Sequence, residues 1–290
     1  SGVSTVRLQA GTYTQSVTVD VDGLTLEGAD GAEPVINGSG AENAVEAGAD
    51  DVTVQGFQVE GFKERGIYDG GGENDGMLIE DNVVTDPDPG TATVQAIQIE
   101  GDDAQVIDNT VAGVPEFEGD DFDSSGILAE STDNAEIRNN TVEVNDLGIA
   151  ISTFFGNATG NTIEGNDVSS TNSTGIQVGT NTLEEPGQNS ASDTDIIDNT
   201  VEDSATGLGI RDFGGAGISG TNVSDNDFVD NEVHVNDPDD FVDLDAILND
   251  QGNTFDPDGE VVGDQIRVEG TAPADTVVNL DTGATFTGST

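Results

Sequence analysis

The 290-residue sequence contains no cysteine and no tryptophan, and only one histidine, one methionine and two tyrosines. Without cysteine there are no disulfides and no thiolate metal site. Basic residues are scarce: six lysines and arginines, Lys63 being the sole lysine, stand against 59 acids, for a formal charge of -53. A polyanion with no basic patch excludes binding to DNA or RNA. No run approaches 18 apolar residues, so no helix of this sequence is expected to span a membrane. Extended segments of 3.6-residue apolar periodicity are missing too, which sets helical solenoids aside.

Such a charge with 4% aromatics leaves two readings. One is disorder, whose usual signature is high net charge and few aromatics. The other is a folded chain suited to molar salt, where the screening length falls to about 3 Å. The second is preferred, because the acids are dispersed and the apolar residues recur in register.

That recurrence is the strongest signal. An apolar-x-x-Asn-x-apolar unit appears as Ile79 to Val84, Val106 to Val111, Ile137 to Val142, Ile163 to Val168, Ile196 to Val201 and Val223 to Phe228, with a worn copy at Asn253-Thr-Phe255. Its asparagines, Asn82, Asn109, Asn140, Asn166, Asn199, Asn226 and Asn253, are 27, 31, 26, 33, 27 and 27 residues apart. Between them lies a second mark: Gly66-Ile67, Ala96-Ile97, Gly126-Ile127, Gly148-Ile149, Gly175-Ile176 and Gly207-Leu208. Alternation over a few residues, as in Ile97-Gln-Ile99, reads as strand. Each strand is too short to bury a face alone, so equivalent strands must stack on one another around a common core. The expected fold is all-β: a right-handed parallel β-helix of about nine coils over residues 1–262, followed by a strand segment at 263–290 that caps or associates. A short helix is expected from Pro238 to Leu248. The asparagines are expected at corners, as a ladder of stacked amides tolerating left-handed backbone angles.

Leu8-Gln-Ala-Gly-Thr-Tyr13, followed by Val17-Thr-Val19 and Leu24-Thr-Leu-Glu-Gly28, resembles the opening coil of the right-handed β-helix superfamily. That superfamily includes pectate lyases, pectin methylesterases, polygalacturonases, alginate epimerases, viral tailspikes and NosD-like surface proteins. The resemblance covers roughly residues 3–255 and implies a fold, since one fold hosts many functions. The Gly-His-Gly element of polygalacturonases and the Asp-Pro-His-Glu motif of the epimerases are absent. A lyase needs a base beside calcium-binding acids, and Arg211 or the Lys63/Arg65 pair has no matching motif around it. One histidine (His234), one methionine and no cysteine argue against copper handling.

Variable turns after the Gly-Ile strands are where a solenoid builds binding surfaces. They place Tyr68-Asp69, Glu100-Asp102, Phe154-Phe155, Asn181 and Arg211-Asp212-Phe213 along one side, a candidate glycan groove. Asp120, Asp121 and Asp123 are the candidate calcium ligands, with Asp237/Asp239/Asp240 and Asp256/Asp258/Glu260 as further acidic clusters, and no other cofactor is expected. The scarcity of lysine resembles haloarchaeal usage. Sequons at Asn37, Asn139, Asn157, Asn172 and Asn222 lean towards an outside location. The functional expectation is an extracellular structural or adhesive rod of a haloarchaeal surface, filament or halovirus, self-associating or binding glycans. The alternative is a polysaccharide lyase or hydrolase with a carboxylate-lined groove.

Overall fold

The computed structural model describes residues 4–71, 74–89, 93–116, 124–144, 146–169, 172–180 and 187–256, together with the backbone of two further strands, Glu260–Gly263 and Val277–Asn279. Each repeat contributes one strand to each of three parallel sheets, which hold nine, ten and eleven strands. Every strand pairs in parallel with its equivalent one coil away, as Ile79 does with Val54 and Val106, and Ile149 with Ile127 and Ile176. This is the right-handed parallel β-helix expected from the repeat. The opening coils use more strands than alternation alone reveals: Gly11–Thr14, Pro34–Asn37 and Asn43–Ala47 also pair in the second and third sheets.

The core is a set of aliphatic stacks. In the first sheet Val54, Ile79, Val106, Ile137, Ile163 and Ile196 are fully buried, and in the third Ile67, Ile97, Ile127, Ile149, Ile176 and Leu208 are too. Period-two alternation does this, since each side chain pointing inward lies on its counterpart in the next coil. The Gly-Ile mark has a steric origin. A Cβ on Gly148 would sit 2.3 Å from the Gly175 carbonyl oxygen, and one on Gly126 would sit 2.7 Å from that of Gly148. The glycine lets successive coils approach closely at the start of the third sheet.

The asparagine ladder is continuous from Asn82 to Asn253. In each rung, Oδ1 accepts from both the backbone N–H and the side-chain N–H of the preceding asparagine, for example Asn140 N to Asn166 Oδ1 at 2.9 Å and Asn140 Nδ2 to Asn166 Oδ1 at 3.0 Å. Nδ2 also donates to a carbonyl one coil back, as Asn166 does to Ile137 at 2.9 Å. The left-handed backbone lies one residue earlier than the sequence suggested. Asp81, Asp108, Asn139, Asp198 and Asp225 have φ between 54° and 58°, and glycine fills the same place at Gly165 and Gly252. The turn falls on the residue before the ladder because the ladder asparagine itself must aim its amide along the core axis.

The C-terminal helix is shorter than expected, Leu244–Asn249. Asp237 accepts from the backbone N–H groups of Phe241 and Val242, which holds that stretch in a turn, and the helix starts only where the Asp243 side chain caps the N–H of Ala246. The strand Val277–Asn279 pairs in parallel with Glu260–Val262 and extends the third sheet. His234 is fully buried, its ring centroid 5.6 Å from that of Phe255 and its Nε2 3.0 Å from the Asp256 carbonyl oxygen. It belongs to the core near the end of the stack.

Candidate functional site

The third sheet positions the site. Its strands lengthen along the stack, from Val17–Val19 to Thr174–Thr180 and Thr206–Asp212, and a short fourth sheet, Ala158–Thr159, Ser190–Ser192 and Gly217–Ser219, follows them in the later coils. At the ends of Gln95–Ile99 and Ser125–Glu130 a cleft of about 430 Å³ opens, lined by Glu100, Asp102, Glu130, Ser131, Asp133, Phe155, Gly156 and Asn157.

Register brings its carboxylates together. Ile99 pairs with Ala129, so the next residues, Glu100 and Glu130, occupy adjacent rungs. Gln98 joins them: its Nε2 donates to Glu100 Oε1 at 2.7 Å and to Glu130 Oε2 at 3.0 Å, so those two oxygens lie no more than about 5.7 Å apart. The amide is oriented by Arg65, whose Nε donates to Gln98 Oε1. The Arg65 guanidinium lies 4.6 Å from the centroid of the Tyr68 ring, and the Tyr68 hydroxyl donates to Glu100 Oε1 at 3.2 Å. Arg65, Tyr68 and Gln98 thus form a polar floor under the carboxylate pair.

Electrostatics separate the acids. Burial, reinforced by the charge of Glu100, pushes the Glu130 carboxyl up to about 7. Burial likewise raises Asp69 to about 6, against the pull of backbone N–H donors at Gly101, Glu100 and Gly71. Asp69 is a fully buried clamp rather than a wall of the cleft: Gly101 donates to its Oδ2 at 2.7 Å, which fixes the backbone that presents Glu100. Burial and Glu100 raise the Tyr68 hydroxyl well above the usual phenol range.

The opposite wall is a short loop. Ser131 Oγ accepts from Phe155 N at 3.0 Å and Gly156 N at 2.9 Å, which pins the loop, and Phe155 is 72% exposed. The Phe154 ring lies tilted against it, ring centroids 6.5 Å apart and planes 48° to one another. Along the rim Asp75, Asp102 and Asp133 form a ladder in which Asp102 N donates to Asp75 Oδ1 and Asp133 N donates to Asp102 Oδ1 at 2.8 Å. Asp133 Oδ1 is shielded from solvent and has no donor.

The groove expected from the sequence divides in two. Tyr68, Asp69, Glu100, Asp102, Phe154 and Phe155 gather at the cleft. Arg211 lies on the same outward row as Glu130 but three rungs on, through Ser152 and Gly179, a distance of about 14 Å at one sheet spacing per rung. Asp212 is engaged in its own turn, its Oδ1 accepting from Thr180 Oγ1 at 2.7 Å and from Gly214 N at 2.8 Å, and Phe213 is half exposed beside Gly179. Asn181 and the calcium candidates Asp120, Asp121 and Asp123 lie outside the described residues, as does Asp258. Among the described residues no group of three or more acids or histidines is arranged to hold a metal ion. Glu130 and Gln98 escaped the sequence reading, although Glu130 follows Ile127 by the same three residues as Glu100 follows Ile97.

Residues 42–237, more than half of the chain, match the family model described as right handed beta helix region. No curated protein matches the sequence. Among solved structures, pectate lyase Pel9A aligns with a TM-score of 0.52 at 14% identity over 96% of this chain and 68% of its own. The Dettilon tailspike gp208 aligns at 0.47 and 13% over 89% and 61%, so the chain spans about three fifths of that tailspike's length. The tailspike gp49 from Acinetobacter baumannii bacteriophage Fri1, a capsular polysaccharide depolymerase, aligns at 0.47 and 8% over 89% and 52%. At these identities the likeness concerns the fold.

Proposed function

Since the chain belongs to the right-handed β-helix family, whose rigid stack leaves function to the turns and sheet ends, we propose that it is an extracellular glycan-binding protein whose third-sheet cleft holds a polysaccharide segment. The observation that carries this reading is the pairing of an exposed aromatic face, Phe155, with converging hydrogen-bond acceptors in Glu100, Glu130 and Asp133 across one concave site. Sugars present an apolar ring face and a rim of hydroxyls, and a cleft with an apolar wall and a few placed polar groups suits both. The extreme acidity supports a setting in concentrated salt, on a cell surface or a virus particle. A glycan array run in molar salt tests the proposal. Wild type retains a set of oligosaccharides, and Phe155→Ala loses them by roughly tenfold or more, as expected for an aromatic anchor. Equal retention by both proteins overturns it.

One observation favours a second reading, hydrolysis. Glu130, pushed up to about 7, lies beside Glu100 with the two joined oxygens no more than about 5.7 Å apart. Retaining glycosidases hold their two carboxyl groups at about 5 to 5.5 Å. Protonated Glu130 would donate its proton to the glycosidic oxygen as the Glu100 carboxylate forms a bond to the anomeric carbon and the leaving sugar departs as an alcohol. Water would then break that ester, giving its proton to Glu130 and restoring Glu100. Release of reducing ends by wild type but not by Glu100→Gln supports hydrolysis, and their absence with every bound glycan confines the protein to binding.

A further inference from the structure

Among the described residues the two most exposed large apolar side chains are Phe155, at 72%, and Phe213, at 51%. A single exposed apolar residue needs no explanation. These two, however, occupy corresponding turns. Phe155 follows the third-sheet strand Leu147–Ser152, Phe213 follows Thr206–Asp212, and the strand Thr174–Thr180 lies between them in the sheet.

Both turns are pinned, and both are tied back by one coil. The Phe155 and Gly156 N–H groups donate to Ser131, which directly follows Ser125–Glu130. The Phe213 N–H donates to the Thr180 carbonyl at 2.8 Å, and its ring lies over Gly179, 3.5 Å from where a Cβ on that glycine would stand. Asp212 Oδ1 holds the far side of that turn through the N–H groups of Gly214 and Gly215. The coils on which the two rings rest are therefore two rungs apart, with Leu147–Ser152 between them. At one sheet spacing per rung the rings stand about 9 to 10 Å apart along the stack axis. The outward row that links them from Glu130 runs through Ser152 and Gly179, small residues that leave the floor low.

That spacing has a counterpart in sugar chemistry. A 1,4-linked chain whose two ring bonds are both equatorial extends as a nearly two-fold ribbon. It shows the same ring face at every second sugar, and its disaccharide repeat is close to two sheet spacings. An α-1,4-linked glucose chain coils and turns its faces away from one line. We infer that Phe155 and Phe213 are two platforms of one site, which takes an extended β-1,4-linked glycan along the stack axis with one sugar on Phe155 and the next but one on Phe213. This inference rests on the glycan-binding reading and goes beyond it in naming the linkage class and the direction of the chain.

The experiment is calorimetry in molar potassium chloride with β-1,4-linked oligomers of glucose, N-acetylglucosamine and mannose, from two to six sugars, against α-1,4-linked glucose oligomers of equal length. In at least one β-linked series the step from two to three sugars, the shortest chain that reaches both rings, should raise affinity roughly tenfold or more, as for a second aromatic anchor. Phe213→Ala and Phe213→Leu should both abolish that step, the leucine variant keeping bulk over Gly179 without a flat face. Phe213→Tyr should keep it, as should Val83→Ala, a change at an exposed valine of the second sheet. Circular dichroism checks that each variant is folded. A step that survives both the alanine and the leucine variants overturns the role of Phe213, binding without a step overturns the two-platform site, and an equal step in the α-linked series overturns the linkage class. Failure of every β-linked oligomer while the glycan array retains other chains overturns the inference and leaves the glycan reading standing. An array that retains nothing overturns both.

Discussion

Replacing Asn166 by alanine tests the ladder at its centre. Asn166 is 1% exposed, and its side chain makes four hydrogen bonds. Oδ1 accepts from Asn140 N and Asn140 Nδ2, and Nδ2 donates to the Ile137 carbonyl and to Asn199 Oδ1. Two of those partners have other bonds. Asn140 Nδ2 also donates to the Val106 carbonyl at 2.9 Å, and Asn199 Oδ1 still receives the Asn166 backbone N–H at 2.9 Å. The Asn140 N–H is left without its acceptor, and the Ile137 carbonyl loses this donor. An unsatisfied buried group costs about 1 to 3 kcal/mol, so Asn166→Ala should cost roughly 2 to 4 kcal/mol. Against a typical total of about 5 to 15 kcal/mol that is a large fraction. Asn253→Ala removes the last, partly exposed rung, where water can replace the lost partners, and should cost roughly 1 kcal/mol. Urea unfolding at fixed molar salt, followed by circular dichroism, measures both through a shift in midpoint at constant slope. A cost for Asn166→Ala below about 0.5 kcal/mol, the range of ordinary surface substitutions, or no greater than that of Asn253→Ala, would refute the view that the ladder stabilises the stack.

Further outcomes follow from the same geometry. Glu130 and Asp69 have folded values raised to about 7 and about 6, so the folded state binds more protons than the unfolded chain between roughly pH 4 and 7. Stability must therefore fall as pH rises through that window, and Glu130→Gln should be more stable than wild type at about pH 8, and lose less between pH 5 and 8, by on the order of 2 kcal/mol in urea midpoints converted to free energy. Gly148→Ala places a methyl group 2.3 Å from the Gly175 carbonyl oxygen and should lower stability by about 1 to 3 kcal/mol or more, read as a drop in thermal midpoint. Ile149→Ala leaves a cavity between Ile127 and Ile176 and should cost about 2 to 5 kcal/mol in the same assay. Lowering potassium chloride from molar to about 0.1 M lengthens screening from about 3 Å to about 10 Å, and a chain of formal charge -53 should lose its β-sheet circular dichroism. Retention of the spectrum would refute adaptation to salt.

The fold was legible because it repeats. A single strand such as Thr162–Glu164 says little, but six spaced copies of one apolar-x-x-Asn-x-apolar unit fix a period, and period with alternation fixes stacking. Coils without the asparagine were harder: Pro34–Asn37 and Asn43–Ala47 carry no such mark and emerged only from their pairing. Pro238 and its acids look like a first helical turn, but the Asp237 side chain makes a competing turn and the helix starts only at Leu244, after the Asp243 cap. The site was legible in part. Variable turns led to Tyr68, Glu100 and Phe155, but not to which turns meet. That depends on register, which puts Glu130 beside Glu100 and Arg211 three rungs away. Gln98 gave no sign of its role, since an outward glutamine on a strand is unremarkable until Arg65 is seen to orient its amide.

The most direct test of glycan binding is a crystal structure grown from molar salt with the oligosaccharide that the array retains best. The account predicts sugar rings packed on Phe155 and hydrogen-bonded to Glu100, Glu130 or Asp133 in the third-sheet cleft. A retained glycan bound elsewhere on the stack, with this cleft holding only solvent, would contradict it.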